Sequence, residues 1–410
     1  MRTASCGCRL RYGSSAWLGT AFMLASVMAR PARAQESFQD MFDAYVETDG
    51  IVGASYVALD RGTITTAHNV GMADRDRNQP VDPNTVFHWA SITKTLTAVA
   101  VMQLRDRGRL SLDDPIVKYV PELRRVHSEK GDIEKVTLRH LLSHSSGFQS
   151  PTWLYRDDSK PWQPFEPTEW SQLVALMPYQ ELSFAPGTRF QYSNPGFIYL
   201  ARVIEALTGD PYETYVQKNI LTPLGMTRSY FNVSPYHLAA DRSNNYTISI
   251  GANGQQVKAN GREFDTGITT PNGGLNAPLA DLARWVAILA GPDSSPASAM
   301  ILDRRSLEEM WKAVVEVTGE PAVGETTMGL SFFLYARGSG ADKITFAGHT
   351  GHQAAFRSFM VFNPKNGRAV IAAFNTAHDG DSQTPDAEAA LRRSNDGFNQ
   401  LIARALEMLR

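Results

Sequence analysis

Thiols are nearly missing from this 410-residue chain: the two cysteines are Cys6 and Cys8, and none follows. The body of the protein therefore has no cysteine nucleophile, no thiolate metal site and no disulfide. A span-length apolar run is lacking as well. The stretch Ala16–Ala29 is shorter than the ~20 residues that cross a bilayer. It follows a basic start (Arg2, Arg9, Arg11) with no acidic residue and precedes Ala32-Arg33-Ala34. That order reads as a secretory signal peptide over residues 1–34, with Gln35 the first mature residue and a secreted or periplasmic destination. Arg9-Leu-Arg11 is not a twin-arginine pair, so export of an unfolded chain is expected. Both cysteines would leave with the signal. An excess of positive charge is also lacking. Without the five arginines of the first 34 residues, 35 basic residues face 42 acidic ones, a net charge of about −7. A long-range field of that sign excludes binding to nucleic acid or to an anionic membrane face. There is no internal repeat, Gly-x-Ser-x-Gly elbow, phosphate loop or dinucleotide fingerprint, and no cofactor is expected.

What remains is ordinary for a globular enzyme, with 43% hydrophobic and 20% charged residues. Glu36–Asp49 reads as a helix. Strands follow at Gly53–Asp60 and Thr63–Gly71, with a turn at Arg61-Gly62. A long helical region comes next. Strand patterns return at Leu330–Arg337, Lys343–Ala347, Ala354–Phe362 and Arg368–Asn375, and a closing helix covers Ala387–Arg410. The fold class expected is α/β (α+β): an antiparallel sheet built from both ends of the chain and flanked by helices, with an inserted, mainly helical lobe. Residues 35–410 would form one domain. Its sheet lobe would take about 35–90 plus 325–410, and its helical lobe about 91–324. Tyr246–Phe264 reads as a hairpin around Gly251–Gly254. Pro151–Trp170, with Trp153, Tyr155, Trp162, Phe165 and Trp170 among prolines, either lines a cleft or pins a loop.

Ser91-Ile-Thr-Lys94 opens a helix that is apolar on nearly all sides and ends at Gly108. Three residues apart, Ser91 and Lys94 share a helix face. A serine hydroxyl needs a base, and a lysine in an apolar setting can be neutral enough to serve. The alternative is that Ser91 merely caps the helix. Within Pro186–Gly196, Tyr192-Ser-Asn194 supplies a tyrosinate that can shuttle a proton beside a lysine ammonium, and an amide that can hold lysine and substrate. Asn194 before Pro195 is also a well-placed N-cap, and Tyr230-Phe-Asn232 repeats the pattern elsewhere. His349-Thr350-Gly351 offers donors for a carboxylate or oxyanion and a glycine that permits close backbone approach. His140-Leu-Leu-Ser-His144 has the two-histidine spacing of a zinc helix, but Leu141 stands where the glutamate belongs. No metal site is expected, and those histidines are read as holding a turn.

In this order and spacing the three motifs resemble the serine β-lactamase and penicillin-recognising superfamily, in its class C β-lactamase and D-alanyl-D-alanine carboxypeptidase branch. Supporting stretches are Leu138–Gly147, Pro211-Tyr212 through Met226, and Gly273-Gly-Leu275 ahead of Asp281–Trp285. The resemblance implies a β-lactamase/transpeptidase-like fold. It makes Ser91 the nucleophile, Lys94 its base partner, Tyr192 the base or shuttle, and Asn194 a contact of Lys94 and substrate. Substrate would also meet His349, Thr350 and Gly351. The backbone amides of Ser91 and His352 would form the oxyanion hole. Class C β-lactamases resemble one another in having lysine where this chain has His349; histidine resembles the carboxypeptidases and D-aminopeptidases. The implied activity is hydrolysis of an amide or ester next to a D-residue, on a small molecule or a peptide such as a peptidoglycan stem. Alternatives are a carboxylesterase, a weak β-lactamase or a non-catalytic penicillin or cell-wall sensor. If a protonated His349 holds a substrate carboxylate, KM for such substrates should climb as pH rises past about 6.5.

Overall fold

The computed structural model describes residues 37–149, 167–251, 254–291, 296–318, 323–339, 343–380 and 384–410. Residues 1–36 with both cysteines, and so the expected signal peptide, lie outside the described residues, as do Trp153, Tyr155, Trp162 and Phe165.

The first helix runs Phe38–Asp49. It starts two residues later than its pattern suggested because Ser37 caps it. The Ser37 hydroxyl accepts the Asp40 amide at 3.1 Å, and the Asp40 carboxylate returns a bond to the Ser37 amide. Gly50 closes the helix in the left-handed conformation, φ 70°. A nine-stranded sheet follows the order 79–80, 63–74, 53–60, 368–374, 356–363, 344–353, 333–337, 325–328 and 315–316. Every neighbouring pair is antiparallel. Gly53–Asp60 pairs directly with Arg368–Phe374, with Ala54 opposite Phe374 and Asp60 opposite Arg368. The sheet is thus made from both ends of the chain.

Both of its faces are covered, which explains why its central strands lack polar alternation. Along Arg368–Phe374, Ala369, Ile371 and Ala373 point into one core while Val370, Ala372 and Phe374 point into the other. The second core is roofed by the first helix and by the closing helix Pro385–Met408, through Phe42, Tyr45, Phe398 and Leu401. Each fully buried side chain of this size contributes about 1.5–3 kcal/mol. The first core continues into the helical lobe. Its axis is the helix Thr93–Asp106, buried from Thr93 to Leu104. Three threonines and a glutamine survive burial there because each is hydrogen-bonded. Thr97 bonds the Tyr212 hydroxyl and Pro271 carbonyl, Thr95 receives the Trp285 indole N–H, and Gln103 reaches the carbonyls of Asn219 and Ile301.

Candidate active site

The central helix is entered through a tight turn, Ala90–Ile92. Ala90 is buried with φ +48°, a conformation that non-glycine residues seldom adopt and that often marks a functional turn. The turn lifts Ser91, which stays partly exposed, above a helix whose next twelve residues are buried. Lys94 comes back to it across one helical turn. Its Nζ lies 3.0 Å from Ser91 Oγ and donates to the Asn272 carbonyl at 2.8 Å. Desolvation pushes the Lys94 amine well below its ordinary pKa of 10.5. The amine sits 4.9 Å from the Tyr192 ring and 5.6 Å from the Phe197 ring.

The Tyr192 hydroxyl faces Ser91, while burial raises its phenol above the usual 10. Burial therefore favours the neutral amine and the neutral phenol together. This replaces the expected tyrosinate beside a lysine ammonium. Tyr230 stands elsewhere: it packs with Val86 and Leu238, and its hydroxyl bonds Ser234. Its companion Asn232 accepts from Thr266 and Thr270. Of the two tyrosine patterns, the structure brings the first to Ser91.

Two expectations for Asn194 change. The N-cap of the helix Asn194–Thr208 is Ser193, whose hydroxyl accepts the Gly196 amide at 3.3 Å, so Asn194 and Pro195 are its first helical residues. No hydrogen bond joins Asn194 to Lys94 among the described residues. The Lys94 partner is instead the backbone carbonyl of Asn272, a contact no side-chain pattern announces. Asn194 Oδ1 and Asn272 Oδ1 are buried without a hydrogen-bond partner.

His349, Thr350, Gly351 and His352 lie inside the strand Ile344–Gln353, which is longer than its apolar pattern and carries the motif within it. The strand rests on the serine turn. A Cβ on Gly351 would stand 2.3 Å from the Trp89 carbonyl and 2.5 Å from Ser358 Oγ. This contact sets the strand against the turn that bears Ser91; the side chain of the next residue, His352, is exposed. Gly351→Ala must therefore separate strand from turn. A fall in kcat of about 10- to 100-fold is expected, since small misplacements of catalytic groups cost that much. Steady-state kinetics beside a thermal melt checks it: a fully active, folded variant would show that the approach is not needed.

The His349 ring is 1% exposed and lies between Tyr192 (6.2 Å) and Phe333 (5.4 Å). Its Nδ1 is 2.6 Å from the Thr350 carbonyl, which can only accept, so Nδ1 carries the hydrogen. Nε2 is then a bare lone pair, buried and unpartnered. Desolvation, with Lys94 nearby, lowers the pKa from 6.5 to about 3. The imidazolium expected to hold a carboxylate is thus disfavoured by the fold. Phe190 lies 6.1 Å from Phe333, extending this wall outward in apolar surface.

His140 Nδ1 accepts the Thr137 amide while the Thr137 hydroxyl accepts the His140 amide, capping the start of the short helix Leu138–Leu142. His144 packs face to face on Tyr192, with ring centroids 4.3 Å apart. It stands in the turn its pattern implies, and that turn also belongs to the site.

The family model described as Beta-lactamase matches residues 38–394. Protein flp of Staphylococcus aureus (strain COL) is 26% identical over 344 residues, covering 82% of this chain and 63% of that protein. The chain thus spans less than two thirds of that relative. Esterase EstB of Burkholderia gladioli is 34% identical over 220 residues, covering 50% of this chain and 53% of the esterase. Among solved structures, the octameric penicillin-binding protein homologue from Pyrococcus abyssi superposes with a TM-score of 0.71. It is 26% identical, and the match covers 90% of this chain and 76% of that one.

Proposed function

The chain belongs to the beta-lactamase family of serine hydrolases, and from that premise we propose that it cleaves uncharged esters or amides through an acyl-enzyme on Ser91. The observation that carries this reading is Lys94, desolvated and 3.0 Å from Ser91 Oγ. A neutral amine takes the hydroxyl proton as Ser91 Oγ bonds to the substrate carbonyl carbon. The resulting oxyanion is met by the amides of Ser91 and His352. The Tyr192 phenol gives its proton to the departing alcohol or amine and recovers one from Lys94. Water then adds to the acyl-enzyme by the reverse relay, releasing the acid and restoring Ser91.

The leaving group departs on the side of Tyr192 and His349. A bare Nε2 and the rings of Phe190 and Phe333 suit a neutral, apolar group there and repel a carboxylate. The esterase relative has a name in keeping with this. The resemblance to a penicillin-binding protein homologue favours a second reading, in which the substrate is a peptide ending in a D-residue, such as a peptidoglycan stem. Export to the periplasm or medium, with the mature chain beginning at Gln35, belongs to the same proposal and rests on residues 1–34.

Paired substrates decide between the readings. KM for phenyl acetate and for 4-acetoxybenzoate should run in parallel from pH 5.5 to 8.5, because His349 does not titrate in that window. A KM for the acidic ester that climbs tenfold per unit above pH 6.5 would restore the carboxylate-binding cation.

A further inference from the structure

His144 takes no part in the chemistry above, yet it grips the segment that presents Tyr192. Its carbonyl accepts the Gln191 amide at 2.8 Å, and its Nδ1 accepts the Ser193 amide at 3.0 Å. Between them its ring stacks on Tyr192 at 24°. Three consecutive residues are thus held by one. The backbone conformation of His144, φ +54°, turns its carbonyl and its side chain toward the same stretch of chain. Residues Gln191–Ser193 belong to no helix or strand, and the helix begins only at Asn194. Secondary structure does not fix the phenol; side-chain contacts do, and those of His144 also hold the backbone on either side of it. A backbone N–H can only donate, so Nδ1 is bare and the ring is the Nε2–H tautomer. That Nε2 is buried without a partner, and the titratable groups that face the ring are Lys94, His349 and Tyr192 itself.

We infer that His144 is a positioning residue for Tyr192, holding the phenol on the line between Ser91 and the leaving group. The inference rests on Tyr192 acting as the acid in the proposed function. Its mark is a loss of rate that depends on how much the leaving group needs a proton. An alkoxide needs protonation; 4-nitrophenolate and fluoride do not.

Two variants divide the grip. His144→Phe keeps a ring and loses the Nδ1 acceptor. His144→Asn keeps an acceptor oxygen, tolerates the positive φ and loses the stack. Each is measured on ethyl butyrate and on 4-nitrophenyl butyrate, with the rate of Ser91 labelling by a fluorophosphonate as a third reading. We expect kcat/KM, which reports acylation alone, to fall about 10- to 100-fold on the ethyl ester and less than about threefold on the nitrophenyl ester, with labelling nearly unchanged. Tyr192→Phe should show the same pattern, and adding His144→Asn to it should cost nothing more. Equal losses on both esters, beside a leaving-group dependence in Tyr192→Phe, would overturn the role of His144 alone. A Tyr192→Phe enzyme that treats both esters alike would overturn the acid role of Tyr192 and this inference with it. Should His144→Phe fail to fold, His144→Asn carries the same comparison.

Discussion

Ser91→Ala lowers kcat/KM by about 10⁴-fold or more, the scale on which loss of a serine nucleophile is felt elsewhere. The fold should persist, because the side chain is partly exposed and Lys94 keeps its bond to the Asn272 carbonyl. Lys94→Met, which preserves the volume of a fully buried side chain, and Tyr192→Phe should each lower kcat by about 10²- to 10⁴-fold. The double variant should lose less than the two losses combined, since amine and phenol pass the same proton. Mass spectrometry after fluorophosphonate treatment should place the adduct on the peptide holding Ser91. An adduct on another serine contradicts the assignment. A harmless Tyr192→Phe beside a damaging Tyr230→Phe contradicts the choice of tyrosine.

Acid should unfold the protein steeply, by way of imidazoles that the fold keeps neutral. His88, His144 and His349 are each at most 1% exposed. Desolvation lowers all three, aided by Arg242 at His88, by Lys94 at His349, and by both Lys94 and His349 at His144. The folded values are about 4 for His88 and about 3 for His349, against 6.5 unfolded. Between those limits only the unfolded chain binds the proton. The stability these groups permit is therefore complete above pH 6.5 and is lost as pH falls towards the folded values. Three groups together give a slope of up to roughly 4 kcal/mol per pH unit, so two units are comparable to the ~5–15 kcal/mol that holds a typical domain. The melting temperature should drop sharply between pH 6 and 4.5, with close to three protons taken up on unfolding. His88→Gln should remove about a third of that uptake. A melting temperature that stays level down to pH 4.5 would show that the imidazoles are accommodated as cations.

The sequence was most readable where one residue's chemistry and one element's periodicity coincide. The buried helix behind Ser91 could be seen in a run apolar on nearly all sides, and the paired end strands in short apolar runs bounded by turns. Boundaries moved where a side chain intervened. Ser37 delayed the first helix, and Ser193 took the cap that Asn194 had been given. The strand carrying His349 ran further than its apolar residues because its register is set by hydrogen bonding, from Ala347 opposite Phe362 to Gln353 opposite Phe356. The Asn272 carbonyl that steadies Lys94 is a backbone atom, and every residue has one. Only its place before Gly273-Gly-Leu275 hinted at it. The burial of His349 was not legible, because a motif gives residue types and says nothing of their surroundings. His144 stood in a stretch already singled out, but its contacts join positions 144 and 191–193, a proximity that only the fold creates.

The pairing of residues 53–60 with 368–374 also governs when a newly made chain becomes active. Ribosomes deliver the serine turn early, and its helix can form at once. The strand that closes over it, 344–353, leans on 356–363, which in turn leans on 368–374, a segment made in about the last tenth of synthesis. Long-range pairing of this kind is slow, because a large loop must close before any contact repays it. Catalytic competence should therefore arrive as a late, single event. A nascent chain stalled at residue 360 should hold a serine that a fluorophosphonate fails to label.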